Sequence, residues 1–448
     1  MVETALMAQV VIFALVTAIY LISRSASMFH PLTFYLVFHF LVFVWRPWMV
    51  HYAGFDSVWL FIGFWPNDEQ FAFALAVSSV GLIAFALACG LAGQAPPDLV
   101  TRPPLEFSGI EKMAFALTAA LLGPMAVYSA ALKADGVDFT GAAAAIEMER
   151  DPLTNTPIYV NNTGYLTEAH GMGLMLTLGF ILIGRFRWWS FLPLAAFIGY
   201  RAWLGWGRWA FVMALLALML LWLYHRGHIW PRPWQVLAAL PVLWLFHQIG
   251  RNRQFIQGMF EKGVVERDAA GRWYDGLDTQ DLANFDFLSF ITWVVPDKTY
   301  TYTYFTQYLQ LLTEPIPRMF WAEKPVGPPI QYFSLHDYGN FTNLTTALIG
   351  DGWMSGGWIG LIVTMAVVGG LLGRLHRWFW RRHGDGKYVA LLYCTFLPLS
   401  LQWFRDGGIS IFKFSLFALF PLAFWLGVRW LLTVWTDWGA RTRTLAPE

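Results

Sequence analysis

Hydrophobic positions in this chain come in long unbroken blocks. Each block is roughly 20 residues, the length a helix needs to cross the hydrocarbon of a bilayer. They fall at about 4–22, 29–49, 70–93, 113–132, 167–184, 188–204, 207–224, 234–250, 353–373, 387–404 and 411–431. Backbone groups in lipid must be satisfied within the segment, so the blocks read as helices. The alternating segments of roughly ten residues that build a membrane β-barrel do not occur. The pattern predicts an all-α, polytopic integral membrane protein with about 11 transmembrane helices. The stretch 29–69 has room for a re-entrant piece. The first block has no basic residues ahead of it and no small-residue cleavage site behind it. It therefore reads as a retained helix, not a signal peptide.

The polar intervals divide the chain into an N-terminal bundle (1–250), one large loop (251–352) and a C-terminal bundle with a tail (353–448). Two shorter intervals, 50–69 and 133–166, complete the long segments on the loop's side of the membrane. The large loop carries aromatic residues throughout, among them Trp273, Tyr274, Trp293, Tyr300, Tyr308, Trp321 and Tyr338. Disordered segments are poor in such residues, so the loop is expected to fold into short helices, with 298–314 a surface or interfacial helix. No internal repeat is visible.

Composition agrees with the pattern. Hydrophobic residues make up 57% of the 448 and charged residues only 13%, and the mean hydropathy is +0.48. Soluble binding modules and nucleic-acid binders are excluded. The two cysteines, Cys89 and Cys394, both lie inside apolar blocks and suggest neither a disulfide framework nor a metal site. The 25 tryptophans fit interfacial belts at helix ends; those in the large loop also suit stacking on the apolar faces of sugars.

Charge then gives a direction. With eleven crossings the intervals alternate sides. One side, from Arg24 to the C-terminal Arg443, holds 15 of the 30 basic residues and only six of the 29 acidic ones. Short cytoplasmic loops are enriched in Arg and Lys, which places the C-terminus inside and the N-terminus and large loop outside. The run Arg374–Lys387 is the densest indicator.

Basic residues on the outer side then need explaining. Arg201 and Arg208 bracket a short turn, Arg251 and Arg253 end the eighth block, Arg318 and Lys324 flank a proline-rich stretch, and Arg405 and Asp406 end the tenth. Each alone fits snorkelling or a local ion pair. Together they suit phosphate oxygens, which the arginine fork binds while staying charged when partly desolvated. No Walker loop, HExxH, GxSxG or CxxC is present, so nucleotide hydrolysis, zinc proteolysis and serine hydrolysis lack support. Glu147 and Glu149 have the spacing for a divalent cation but equally that of an ordinary acidic patch. Two glycosylation sequons, at Asn161 and Asn343, are short enough to arise by chance.

Three patches resemble the Wzy-type polysaccharide polymerases of bacterial envelopes. They are Gly205-Trp206-Gly207-Arg208-Trp209; the run Ile316-Pro317-Arg318 through Lys324-Pro325 leading to Gly350-Asp351-Gly352; and Arg405-Asp406-Gly407. Asp406 stands where close relatives of that family would carry Glu, and eleven spans is fewer than many members have. The resemblance implies an inner-membrane polymerase with its active site on the periplasmic face and no cofactor or metal. The growing glycan would pass from undecaprenyl diphosphate to a second lipid-linked repeat unit. Arg208, Arg251, Arg253, Arg318, Lys324 and Arg405 would bind the diphosphate, with Asp406, then His336 and Asp351, as candidate bases. Partners would be undecaprenyl-diphosphate-linked oligosaccharides within the lipid bilayer, a chain-length regulator and a flippase, with no nucleic acid. An O-antigen ligase or another lipid-linked-sugar glycosyltransferase shares this layout. A lipid-linked oligosaccharide flippase is the alternative of another class; charges gathered at outer helix ends instead of mid-span favour an enzyme.

Overall fold

The structure, a computed structural model, describes residues 1–97, 106–132, 148–150, 157–159, 169–203, 209–237, 278, 282–309, 312, 321, 332–340, 345–408 and 410–444. Helices in chain order are α1 (Val2–Ile22), α2 (Pro31–Ala53), α3 (Ser57–Ile62), α4 (Asp68–Ala92), α5 (Gly109–Leu132), α6 (Met172–Ile183), α7 (Leu192–Trp203), α8 (Trp209–Arg226), α9 (Asn284–Val294), α10 (Ala347–Arg382), α11 (Lys387–Asp406) and α12 (Ser410–Thr444). One short antiparallel ladder, with Met148 opposite Tyr159, lies in the second polar interval.

The protein is a helical, multi-pass membrane protein. Among the described residues, six helices are long and apolar enough to cross a bilayer: α1, α2, α4, α5, α10 and most of α12. The expected count of eleven is not reached on that measure, for identifiable reasons. Helices α6 and α7 have 12 residues each. Helix α8 is a short apolar helix, and the block at 234–250 lies outside the described residues from 238 onward. Helix α11 is 20 residues long, but Tyr388, Tyr393, Thr395, Ser400 and Gln402 dilute its hydropathy.

Two helices depart from regular geometry, and both departures place polar groups. In α2, residues Phe40–Trp45 form a π turn, in which the Arg46 amide bonds to the Leu41 carbonyl. Pro47 follows at once. Its ring has no N–H and would press on the carbonyl four residues back, and widening the preceding turn relieves this. A π turn inserts one residue, rotating everything after it about the helix axis, and Arg46 ends fully buried.

Helix α10 breaks at Gly356 and Gly357, whose backbone is non-helical. In a straight helix residues 352 and 360 would lie about 12 Å apart. Here a Cβ on Gly352 would sit 3.0 Å from Leu361 Cα, and one on Gly360 would sit 2.5 Å from the Gly352 carbonyl oxygen. The 347–355 arm therefore folds back on the 358–382 arm, and the close approach works only with glycine at both positions. A strap, 300–309, crosses this elbow. The Thr303 amide donates to the Met354 carbonyl at 2.9 Å, and Gln307 Nε2 donates to Ser355 Oγ at 2.6 Å. The strap corrects the expected helix at 298–314 where it is described. Tyr300, Tyr304 and Phe305 have positive φ, which interrupts helix, and only a 3-10 turn forms at Thr306–Leu309.

The core is centred on α4 and the long arm of α10. A Cβ on Gly369 would sit 2.7 Å from the Phe85 carbonyl, and one on Gly373 would sit 2.5 Å from that of Cys89. This is the small-xxx-small contact by which membrane helices bring their backbones together. The opposite face of the arm, with Ile359, Val363, Val367 and Leu371, is exposed as a lipid-facing stripe should be. At the arginine-rich end of the bundle Glu111 ties three helices. It accepts from Lys387 Nζ at 2.7 Å and Tyr388 Oη at 2.8 Å, and Arg429 lies 3.6 Å away.

Gly373→Leu should destabilise the purified protein by about 1–3 kcal/mol, the cost of overpacking. Gly370→Leu, which points into open space, should melt with the wild type. Equal melting of all three proteins would mean that the backbone contact with α4 carries no stability.

Candidate functional site

At the end of the bundle opposite Glu111, two buried polar clusters meet across α9. This helix comes from the large loop, yet Asn284 through Thr292 are all buried. Its apolar surface runs all round, as expected of a helix enclosed by others. Phe285 packs on Phe71 of α4 and Phe290 on Phe64.

The first cluster is built on Arg46. Its Nε donates to Asp286 Oδ2 at 2.9 Å and its Nη2 to Asp286 Oδ1 at 3.3 Å, a forked pair. Its Nη1 reaches Asp278 Oδ1 at 2.6 Å. Asp278 also accepts from the Ser57 amide, the first residue of α3, at 3.1 Å. Arg46 and Asp286 are both excluded from solvent. Burial raises the Asp286 carboxyl above the ordinary carboxylate range, against the opposing pull of Arg46. A charge this deep persists only when paired and hydrogen-bonded.

The second cluster holds the turn that ends α11. Asn284, two residues before Asp286, donates from Nδ2 to the Arg405 carbonyl at 3.0 Å and to Thr345 Oγ1 at 3.1 Å. Thr345 Oγ1 donates to the same Arg405 carbonyl at 2.9 Å. The Arg405 guanidinium pairs with Asp406 at 3.1 Å, and both side chains are mostly buried. Gly407 follows at φ +87, where any side chain would be strained and would also collide with the Asp351 carboxylate.

Asp351 lies on the short arm of α10 and is buried. Its Oδ1 accepts from Thr346 Oγ1 at 2.5 Å and its Oδ2 from the Gly408 amide at 2.9 Å. Both oxygens are engaged within the fold, so this carboxylate fixes the Arg405–Gly408 turn against the re-entrant arm.

Of the residues singled out from sequence, the structure brings Asp351, Arg405 and Asp406 together. His336 sits elsewhere, in a 3-10 turn (Leu335–Asp337). The segment after it docks on α3 and α9: the Asn340 amide donates to the Ile62 carbonyl at 3.0 Å, and Gly339 abuts Phe290. Arg208, Arg251, Arg253, Arg318 and Lys324 lie outside the described residues, as does Glu147. Arg201 is buried, with its guanidinium 5.5 Å from the Phe197 ring.

Sequence reasoning missed Arg46, Asn284, Asp278 and Asp286. Arg46 did leave a signal, as an arginine beside an apolar block is expensive unless paired or functional. Lys298 was also passed over; its Nζ lies 3.5 Å from the centre of the Trp293 ring and 5.8 Å from that of Tyr338, a cation–π arrangement.

Chemically, Arg46 is fully buried among carboxylates and serves as a framework charge. Arg405–Asp406 is the pair that remains partly accessible. It joins a cation to a potential proton acceptor on a turn held by Asn284, Thr345 and Asp351.

Asp286→Ala leaves Arg46 buried without its forked partner and should cost about 3–5 kcal/mol of stability, whereas an apolar replacement of the whole pair, Arg46→Met with Asp286→Leu, should recover most of it. Thermal unfolding of the purified variants reads both. A wild-type melting point for Asp286→Ala would show that the pair does not hold α9 in the bundle.

Comparison of the chain with protein-family models, with curated proteins and with solved structures finds no match in any of the three.

Proposed function

We propose that this protein is a membrane glycosyltransferase. It moves a glycan from a polyprenyl diphosphate onto a second lipid-linked oligosaccharide, as the polysaccharide polymerases it resembles do. The observation that carries the reading is the Arg405-Asp406 turn, held at one end of the bundle by Asn284, Thr345 and Asp351. Charge asymmetry between the loops supports an outer location for that end, and the resemblance implies the periplasmic face of a bacterial inner membrane.

The step itself is a substitution at the anomeric carbon of the donor sugar. The terminal hydroxyl oxygen of the acceptor forms the new C–O bond. The bond from the anomeric carbon to the phosphate oxygen breaks, and the diphosphate leaves with the electron pair. The hydroxyl proton passes to a carboxylate or imidazole. Asp406 is the first candidate for that base and His336 the second; Asp351, with both oxygens engaged, acts as a positioning residue. Charge developing on the leaving diphosphate needs cations in place beforehand. Arg405 supplies one, and Arg208, Arg251, Arg253, Arg318 and Lys324 are the candidates for the rest. The diphosphate is itself an activated leaving group, so the step is balanced without a nucleotide.

Arg405→Ala and Arg208→Ala should each abolish polymer while lipid-linked repeat units accumulate in the membrane. A normal glycan ladder from both variants sinks the assignment. Purified protein that transfers glycan only to a lipid A core acceptor would make it a ligase. Movement of lipid-linked substrate across vesicles with no new bond formed would make it a flippase.

A further inference from the structure

An apolar cavity of about 370 Å³ lies between the long arm of α10, the strap and the end of α11. Phe305 and Tyr308 of the strap, Val363, Val367 and Leu371 of α10, and Trp403 of α11 form most of its wall. Three polar atoms sit close by, the Tyr308 hydroxyl, the Thr364 hydroxyl and the Trp403 indole nitrogen, and protein covers all three. The described wall therefore offers carbon and no charge. Water held in a cavity needs several polar partners, and none is presented here. The cavity excludes water as well as any ionic headgroup.

Its open side faces hydrocarbon. Val363, Val367 and Leu371 are each about half exposed and belong to the lipid-facing stripe of a spanning helix. Val363 lies about 8 Å along the long arm from its start at 358, and Leu371 about 20 Å, at 1.5 Å per residue. A hydrocarbon core is about 30 Å thick, so the opening runs through the loop-side leaflet to about the middle of the bilayer. Left empty, the cavity would forfeit dispersion contacts along its walls, while fluid acyl chains stand at its mouth. Behind it stands the candidate turn. Trp403 and Gly408, which also lines the cavity, bracket Arg405-Asp406-Gly407. The Gly407 amide donates to the Trp403 carbonyl at 3.1 Å, and the Gly408 amide to Asp351 Oδ2 at 2.9 Å. A Cβ on Gly408 would sit 2.7 Å from the Tyr308 ring, so strap and turn are in contact. Whatever fills the cavity packs on both ends of the turn.

We propose that this cavity seats one acyl chain of a bilayer phospholipid, drawn from the loop-side leaflet, with its headgroup left outside at the membrane surface. The chain completes the wall behind Trp403 and Gly408 and so buttresses the Arg405–Gly408 turn. The seat follows from the cavity and the stripe alone; its bearing on glycan transfer rests on the function proposed above.

The test uses the full-length protein in phosphatidylcholine nanodiscs, with a phosphatidylcholine carrying a photoreactive diazirine midway along one acyl chain as the probe. Peptide mass spectrometry locates the adducts after illumination. Adducts are expected on Tyr308 and Trp403, at the back of the cavity, as well as on the stripe. Val367→Trp, which fills the cavity, should cut the Trp403 adduct about tenfold, equivalent to about 1.4 kcal/mol of chain binding. Leu87→Trp, on the exposed face of α4, should leave it unchanged. The wild-type map decides the matter even if Val367→Trp fails to fold. Wild-type adducts confined to the stripe, or a Trp403 adduct undiminished in folded Val367→Trp, overturn the seat. Loss of the Trp403 adduct when a small fraction of sugar-free polyprenyl phosphate is added overturns the acyl assignment in favour of an isoprenoid chain. The two readings fail separately. Cavity adducts in a protein that transfers no glycan uphold the seat and remove the transfer reading; glycan transfer with adducts on the stripe alone removes only the seat.

Discussion

A guanidinium buried in a helical bundle has to keep its carboxylates, and the forked pair between Arg46 and Asp286 sets much of this protein's loop-end architecture. Desolvating either charge alone would be far more costly than desolvating the pair. The helix that carries Asp286 is held inside the bundle, with Asn284 through Thr292 buried. Once α9 is inside, Asn284 on its first turn is brought to the end of α11, and the Arg405 carbonyl is fixed by two hydrogen bonds. Asp278 extends the same cluster to the start of α3. One buried cation thereby links α2, α3 and α9, and through α9 the turn that carries the candidate chemistry.

The second constraint is steric. Glycines let α10 do two unlike things: pack its long arm on α4 backbone to backbone, and fold its short arm back through Gly356 and Gly357. The fold-back puts Asp351 beneath the Arg405–Gly408 turn, where it accepts from the Gly408 amide. The turn is thus held from one side by α9 and from another by the re-entrant arm. Both supports are made inside the protein, away from water, where hydrogen bonds are strong and an unmade one is costly. A pre-positioned charge pair of this kind is what a transfer reaction with a charged leaving group uses.

Much of this was legible in the sequence, and what was not has physical reasons. The spanning helices follow from unbroken apolar runs, and the described helices other than α3 and α9 fall where those runs lie. Arg405 and Asp406 stood out because charges at the end of an apolar run need an explanation. Helix α9 did not, since Phe285–Val294 is too short to read as a span and sits in what otherwise reads as a polar loop. Its burial depends on Arg46, some 240 residues away, and pairings at that distance leave no local pattern. The elbow was half visible: Gly356-Gly357 marks a break, but only the approach of Gly352 to Gly360 shows that the chain folds back. The strap at 300–309 reads as helical from its residues and is not: Tyr300, Tyr304 and Phe305 have positive φ, and the Thr303 amide is bonded to the elbow.

The charges of the loop end fall into two sets, and this bears on function more directly than their number does. Arg46 with Asp286 and Asp278, and Asp351 with Thr346 and the Gly408 amide, are closed arrangements whose members face one another. They stabilise a shape, and with three carboxyl groups to one guanidinium they supply no spare positive charge. A diphosphate needs the opposite, cations whose charge is directed at a site and not at neighbouring carboxylates. Arg405, shared with Asp406, stands at the boundary between the sets. Lys298, whose neighbours are the Trp293 and Tyr338 rings, shows that this end also holds a cation by means other than a carboxylate. On that division, and on the proposed transfer, Arg405 is the residue through which the rigid framework would meet a substrate.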